Sequence, residues 1–176
     1  MRYFIELSYN GKNYHGWQVQ PNDISVQETV TKALSTILRK EVDIIGAGRT
    51  DAGVHAMQLF AHFDFEKSLD EDHITKKINA FLPEDIVVEK VFLVSDSAHA
   101  RFDATSRSYE YRIWLGRNPF LVDFTWQLYQ KKLDINKMNQ AASILLEYTN
   151  FKCFSKSKTD VRTYNCKISE AKWVKK

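Results

Sequence analysis

The chain has 176 residues, 44% of them hydrophobic and 27% charged, which is typical of a globular protein made of one domain or of two small halves that share a sheet. Its net charge of +3 does not by itself indicate a nucleic-acid partner. No apolar run approaches the ~20 residues that cross a membrane, and the first residues lack the apolar core of a signal peptide. Two cysteines are too few for a disulfide framework, so we expect a cytoplasmic protein.

The first hundred residues alternate between strand and helix patterns. Ser25 begins the first helix as the N-cap of a capping box, and either Ser68 or Asp70 caps the second. The last strand is continuously apolar, so we expect both of its faces to be covered. The predicted elements are a strand at 3–9, a helix from 26, strands at 42–45 and 57–65, a helix around 74–82 and a strand at 86–94. This β-α-β-β-α-β order is that of ferredoxin-like domains.

The remaining residues repeat part of this order. A strand is predicted at 106–115, a helix capped by Asp134 follows, and a second strand is predicted at 166–174. We therefore expect an α+β protein with two ferredoxin-like, RRM-like halves that share a mainly antiparallel sheet. Residues 1–98 form the first half, and residues 99–176 begin an incomplete second half. A strand left with an open edge at the end also leads us to expect that the natural chain continues beyond Lys176.

Residues 46–55 crowd three glycines around Arg49 and Asp51, directly after a predicted strand. Such a loop presents these side chains at the lip of a cleft. Metal binding would need further ligands at matched spacing, and a phosphate loop would need a Lys-Ser/Thr pair that this segment lacks. Two readings remain open: a nucleophilic or basic carboxylate kept ionised by Arg49, and a structural Asp turn between glycines.

Basic and aromatic residues are interleaved at 101–117 and 152–167. This mixture is typical of surfaces that hold phosphates and stack bases, but it also fits solvated faces beside core aromatics. Tyr109 lies at alternate positions with Ile113 and Leu115, and this pattern alone favours a place in the core.

Several motifs together point to one family. They are residues 8–11 (Ser-Tyr-Asn-Gly), 14–18 (Tyr-His-Gly-Trp-Gln), 25–28 (Ser-Val-Gln-Glu), 47–55 (Ala-Gly-Arg-Thr-Asp-Ala-Gly-Val-His), 79–86, 99–105 (His-Ala-Arg-Phe-Asp-Ala-Thr) and the Arg-x-Tyr-x-Tyr pattern of 107–111. On these residues the chain resembles the TruA family of tRNA pseudouridine synthases. The resemblance extends over essentially the whole chain.

The resemblance implies an isomerase that converts uridine to pseudouridine in the anticodon stem-loop of tRNA, at positions 38, 39 and 40, as a homodimer and without a cofactor or metal. Asp51 matches the catalytic aspartate, which either attacks carbon six of the uracil or assists at carbon one of the ribose. Arg49 matches an arginine that contacts this aspartate and RNA. Tyr109 matches the tyrosine that packs on the target uracil, which reverses its assignment to the core.

By the same resemblance, the basic stretches at 101–117 and 152–167 would contact phosphates and so position the RNA. The residues expected to make them are Arg101, Arg107, Lys156, Lys158 and Arg162. One departure is that residues 151–176 lack the arginine-bearing motif with which the family completes its active site. The competing hypothesis is a non-catalytic RRM-like RNA-binding module, which leaves the loop around Asp51 unexplained. A metal-dependent nuclease fails on the number of ligands.

Overall fold

The structure is a computed structural model that describes residues 1–155 and 163–176. The chain forms two compact units, Met1–Glu110 and Tyr111–Lys176. Helices and strands are mixed along the chain, and the first unit is built on an antiparallel sheet. The expected mixed α and β class with a mainly antiparallel sheet is therefore confirmed.

The first unit has the predicted β-α-β-β-α-β order. Its four strands are hydrogen-bonded in the order β2-β3-β1-β4, so the first strand lies in the middle of the sheet between two antiparallel neighbours. Ile5 at its centre lies opposite Ala61 on one side and Val91 on the other. The elements are β1 (Arg2–Tyr9), α1 (Val26–Leu38), β2 (Ile45–Gly46), β3 (Ala56–Asp64), α2 (Glu71–Phe81) and β4 (Ile86–Val94).

Each helix begins where a polar side chain caps its first turn. The Ser25 hydroxyl accepts a hydrogen bond from the Glu28 backbone N–H at 3.2 Å, as the capping box predicts. Asp70, rather than Ser68, caps α2 by accepting from the backbone N–H of His73 at 3.0 Å. Such a cap stabilises a helix by about 1 kcal/mol, because it satisfies an N–H that the helix itself leaves unpaired.

The core of the first unit lies between the two helices and one face of the sheet. Alternate residues of β1 point into it, and the helices contribute one apolar stripe each; the fully buried members include Ile5, Leu7, Val26, Val30, Leu34, Ile78 and Val88. The expectation that both faces of β4 are covered is wrong. Val87 and Leu93 of β4 are 42% and 49% exposed. The cause is that both helices pack on the same face, as in antiparallel sheets with one face in contact with water.

The described residues of the second unit include a pair of parallel strands and an α-helix: β5 (Ile113–Leu115), β6 (Trp126–Leu128) and α3 (Ile135–Ile144). Asp134 caps α3, as predicted, by accepting from the Lys137 backbone N–H. The strand predicted at 106–115 begins only at Ile113, and residues 166–174 form no strand. Alternation predicts an extended backbone, but a strand also needs a hydrogen-bonded neighbour, which no local pattern reveals.

Among the described residues, no helix is both long enough and apolar enough to span a membrane.

Candidate active site

The glycine-rich loop, residues 46–55, leads from β2 into β3. At its start the Ala47 N–H donates to the Phe60 carbonyl at 2.7 Å, which fixes this end to the sheet. At its other end the Val54 N–H donates to the Asp51 carbonyl at 3.2 Å, which closes a turn with Gly53 at φ +76°. Asp51 is exposed at the first position of this turn. The loop therefore presents its carboxylate to solvent on a backbone that is fixed nearby.

A second loop, residues 10–18, follows β1 and packs against the glycine-rich loop. A Cβ atom on Gly11 would lie 2.0 Å from the Val54 carbonyl oxygen, and one on Gly16 would lie 2.3 Å from that of Thr50. Gly16 also has φ +91°, a conformation that other residues rarely adopt. The two loops thus approach so closely that their contact requires glycine at both positions.

Backbone hydrogen bonds join these loops on both sides of Asp51. Before it, the Trp17 N–H donates to the Thr50 carbonyl at 3.2 Å. After it, the Gly53 N–H donates to the Tyr14 carbonyl at 3.1 Å. Because the residues on either side of Asp51 have partners, the position of its backbone is set by the second loop as well as by its own turn.

Two buried tyrosines strengthen this arrangement. The hydroxyl groups of Tyr9 and Thr50 are 2.9 Å apart, and burial raises the pKa of Tyr9. The Tyr14 hydroxyl donates to Asp85 at 2.6 Å, and burial together with the neighbouring carboxylate raises the pKa of Tyr14. Both hydroxyls therefore stay protonated at neutral pH. These supports are not evident from the sequence, where the local signal is the polar Glu84-Asp85 pair between α2 and β4.

Arg49 and Tyr109 are both exposed. Within residues 1–155 and 163–176, the Arg49 side chain makes no hydrogen bond or ion pair, so the pairing with Asp51 predicted from the sequence is not formed here. Tyr109 is 81% exposed, which excludes the place in the core suggested by its alternation. Both side chains are accessible to a ligand, and Arg49 shares the glycine-rich loop with Asp51.

Arg107 connects this loop to the turn at residues 99–103. Its guanidinium donates to the Ala47 carbonyl at 2.6 Å and to the Arg101 carbonyl at 3.2 Å. The turn at 99–103 is itself fixed to β3, because the Ala100 N–H donates to Nδ1 of the buried His62 at 3.2 Å. Burial, followed by the charge of Arg2, lowers the pKa of His62. The segment that carries Tyr109 is thereby connected to the loop that carries Asp51.

The other residues expected to contact RNA are Arg101, Lys156, Lys158 and Arg162. The guanidinium of Arg101 lies 5.9 Å from the centre of the Phe102 ring and is exposed. Lys156, Lys158 and Arg162 lie outside the described residues. In the described part of the chain, no three His, Cys, Asp or Glu side chains lie together as a metal site would require.

Comparison with known proteins gives the family. The sequence profile of the tRNA pseudouridine synthases matches residues 7–103. Over 174 residues the chain is 53% identical to the tRNA pseudouridine synthase A of Bacteroides fragilis, and the alignment covers 98% of this chain and 69% of that protein. The chain belongs to the tRNA pseudouridine synthase family. The enzymes of this family are isomerases, so the family and the enzyme class predicted from the sequence are confirmed.

Other relatives of the family carry the same name. The protein from Bacteroides thetaiotaomicron is also 53% identical, with 99% of this chain and 64% of that protein aligned. The protein from Limosilactobacillus reuteri is 38% identical, over 92% of this chain and 66% of that protein. This chain thus spans about two thirds of the length of these synthases. The matched profile includes both loops and the turn at 99–103, while the roles of Asp51, Arg49 and Tyr109 stay predictions.

Proposed function

We propose that this protein isomerises uridine to pseudouridine in the anticodon stem-loop of tRNA, at positions 38, 39 and 40, with Asp51 as its catalytic carboxylate. One observation carries the proposal. Asp51 is exposed, yet hydrogen bonds fix the backbone on either side of it, at Thr50 and Gly53. An exposed carboxylate on a fixed backbone has fewer positions to search when a ligand binds, and such preorganisation favours catalysis.

The reaction requires no group donor and no redox change. The bond between ribose carbon one and uracil N1 breaks, the uracil turns, and carbon one bonds to uracil carbon five. Carbon five loses its proton, and N1 gains one. The Asp51 carboxylate serves either by adding to carbon six of the uracil or by assisting at ribose carbon one, and both roles need it ionised and exposed. The target base leaves its stack at a cost of about a few kcal/mol.

Arg49 and Tyr109 would act on the extruded nucleotide. The exposed Tyr109 ring would stack on the uracil, because an aromatic face accepts a base without any hydrogen-bond requirement. Arg49 has no partner within the described residues, so its guanidinium is available for RNA phosphate and for Asp51 once the RNA is bound. Arg101, Lys156, Lys158 and Arg162 would position the RNA through its phosphates without reading its sequence.

The proposal extends to the assembly. The chain would consist of two ferredoxin-like halves that share one sheet, residues 1–98 and an incomplete second half at 99–176. The natural protein would act in the cytoplasm as a homodimer that binds tRNA in a basic cleft. Sedimentation equilibrium with and without tRNA would measure the oligomeric state of the protein. A monomer in both conditions would contradict the dimer and leave the chemistry of Asp51 in place.

The first prediction tests the chemistry. In the protein at its natural length, Asp51→Asn should abolish pseudouridine formation while tRNA affinity stays within about twofold, because the amide keeps the size of the side chain and removes the nucleophile or base. Unmodified tRNA is incubated with each protein and digested to nucleosides, and pseudouridine is measured. Turnover retained by the variant would refute the assignment of Asp51. Bound but unchanged tRNA with the unsubstituted protein would favour the RNA-binding module.

A further inference from the structure

Arg107 makes contacts that differ from those of a phosphate-binding arginine. Its Nη2 atom donates to two backbone carbonyls, at 2.6 Å from Ala47 and 3.2 Å from Arg101. Its Nε and Cδ atoms lie over Gly48, at 3.4 Å and 3.9 Å from the place where a Cβ would be. The side chain therefore lies along the glycine-rich loop and contacts it through hydrogen bonds and packing.

The two carbonyls belong to segments that are fixed to the sheet independently. Ala47 is bound to β3 through the Phe60 carbonyl, and the turn at 99–103 is bound to β3 through His62. Arg107 thus bridges two rigid points that are far apart in sequence. A planar guanidinium suits this task because it presents several N–H groups in fixed directions.

We propose that Arg107 is a positioning residue, which holds the segment bearing Tyr109 against the loop bearing Asp51 and does not bind RNA phosphate. This inference rests on the proposed function and replaces the phosphate contact expected from the sequence. Tyr109 follows Arg107 by two residues, and Asp51 follows Ala47 by four. The bridge therefore sets the distance between the ring that would stack on the uracil and the carboxylate that would react.

Arg101 provides the matched comparison. It lies in the same exposed region, but its guanidinium makes no hydrogen bond within the described residues and rests beside Phe102. It is therefore the arginine of this pair that is available for phosphate. Arg107 is also exposed, so its bridge depends on the two hydrogen bonds rather than on burial.

The test compares Arg107→Ala with Arg101→Ala at the natural length of the protein. Three quantities are measured: the single-turnover rate at saturating tRNA, the dissociation constant for tRNA over a range of salt, and the hydrogen exchange of the amides in residues 46–55 without RNA. Arg107→Ala should lower the rate about ten- to hundredfold, since small misplacements of reacting groups have effects of this size. Its affinity and salt dependence should match the unsubstituted protein, and amide exchange in the loop should be faster.

Arg101→Ala should instead weaken tRNA binding. Its tRNA affinity should fall, the slope of log K against log salt should shrink by about one, and the loop amides should exchange as before. Arg107→Lys should recover only part of the rate, because one ammonium group cannot reproduce the planar arrangement of donors. This variant keeps the side chain's length and charge, so it also controls for misfolding.

Two results would overturn the inference. One is a reduced salt slope in Arg107→Ala with an unchanged rate at saturating tRNA, which is the behaviour of a phosphate ligand. The other is unchanged exchange in residues 46–55, which would show that the bridge does not hold the loop. If the unsubstituted protein forms no pseudouridine, the proposed function fails, and the exchange measurement still decides whether Arg107 holds the loop.

Discussion

The hydrogen bond between Tyr14 and Asp85 supports the glycine-rich loop from below. Asp85 receives the Tyr14 hydroxyl on one oxygen and the Asn13 amide, at 3.1 Å, on the other. The Tyr14 carbonyl in turn accepts from Gly53, which lies next to the turn that begins at Asp51. A single partly buried carboxylate on the α2–β4 connection therefore fixes two adjacent residues of the loop at 10–18, one of which binds the glycine-rich loop.

A double-mutant cycle measures this contact. Tyr14→Phe removes the donor and Asp85→Ala removes the charged acceptor, so each should lower the free energy of unfolding by about 1–2 kcal/mol. The double variant should lose less than the sum, with a coupling of about 1 kcal/mol, since the interaction is removed only once. Urea unfolding of all four proteins gives these values. Strict additivity would show that the two groups do not stabilise each other.

The two loops of the site behave as one element. The glycine-rich loop and the loop at 10–18 share backbone hydrogen bonds, and their glycines allow backbone to lie directly on backbone. Glycine can be required for two reasons: a positive φ angle, or the lack of space for a Cβ atom. Gly16 and Gly53 differ in which of these reasons applies. Both have positive φ, but a Cβ on Gly16 would meet the Thr50 carbonyl at 2.3 Å, whereas one on Gly53 would meet nothing within 4 Å.

Alanine at these two positions should therefore have different effects. Gly53→Ala should cost about 1 kcal/mol, the strain of a left-handed conformation alone. Gly16→Ala should cost about 2–4 kcal/mol, because the added methyl group also displaces the neighbouring backbone. Thermal and urea unfolding under the same conditions provide the comparison. Equal losses for the two variants would contradict the close packing of the loops.

At the scale of the whole molecule, His62 makes stability depend on pH. Its ring is 2% exposed within the sheet and faces Arg2, His99 and Asp64. Burial lowers the pKa of His62 below its ordinary value of 6.5, so the unfolded chain binds a proton at this site more readily than the folded chain. Stability should accordingly fall as the pH drops below about 6.5.

His62→Asn tests this dependence. The amide oxygen keeps an acceptor for the Ala100 N–H and removes the titration. The free energy of unfolding, measured from pH 7.5 to pH 5, should then vary less with pH than in the unsubstituted protein. The pair of Arg2 with Asp64 acts in a separate range: Arg2 lowers the pKa of Asp64, so its contribution is lost only below about pH 3.8. An unchanged pH profile in His62→Asn would show that another group causes the loss.

Local features of this fold could be predicted from the sequence, and contacts between distant segments could not. Ser25 and Asp134 cap helices because a cap involves residues three apart. The bond from Trp17 to Thr50 joins residues 33 positions apart, and no pattern within one stretch encodes it. Alternation at residues 106–112 predicts a strand, but these residues pair with no neighbouring strand among the described residues. The same alternation predicts that Tyr109 is buried, although it is exposed.

The position of β1 in the sheet has a consequence for how the site comes into being. β1 is the first strand in chain order, but its two neighbours are β3 and β4, which are made much later. During synthesis β1 therefore has no strand to pair with until β3 has emerged at about residue 64, one of its edges stays open until about residue 94, and Arg107 closes its bridge later still. Sheets with such distant pairings form slowly. The loop around Asp51 thus receives its contact from Arg107 only after every strand of the first unit has been made.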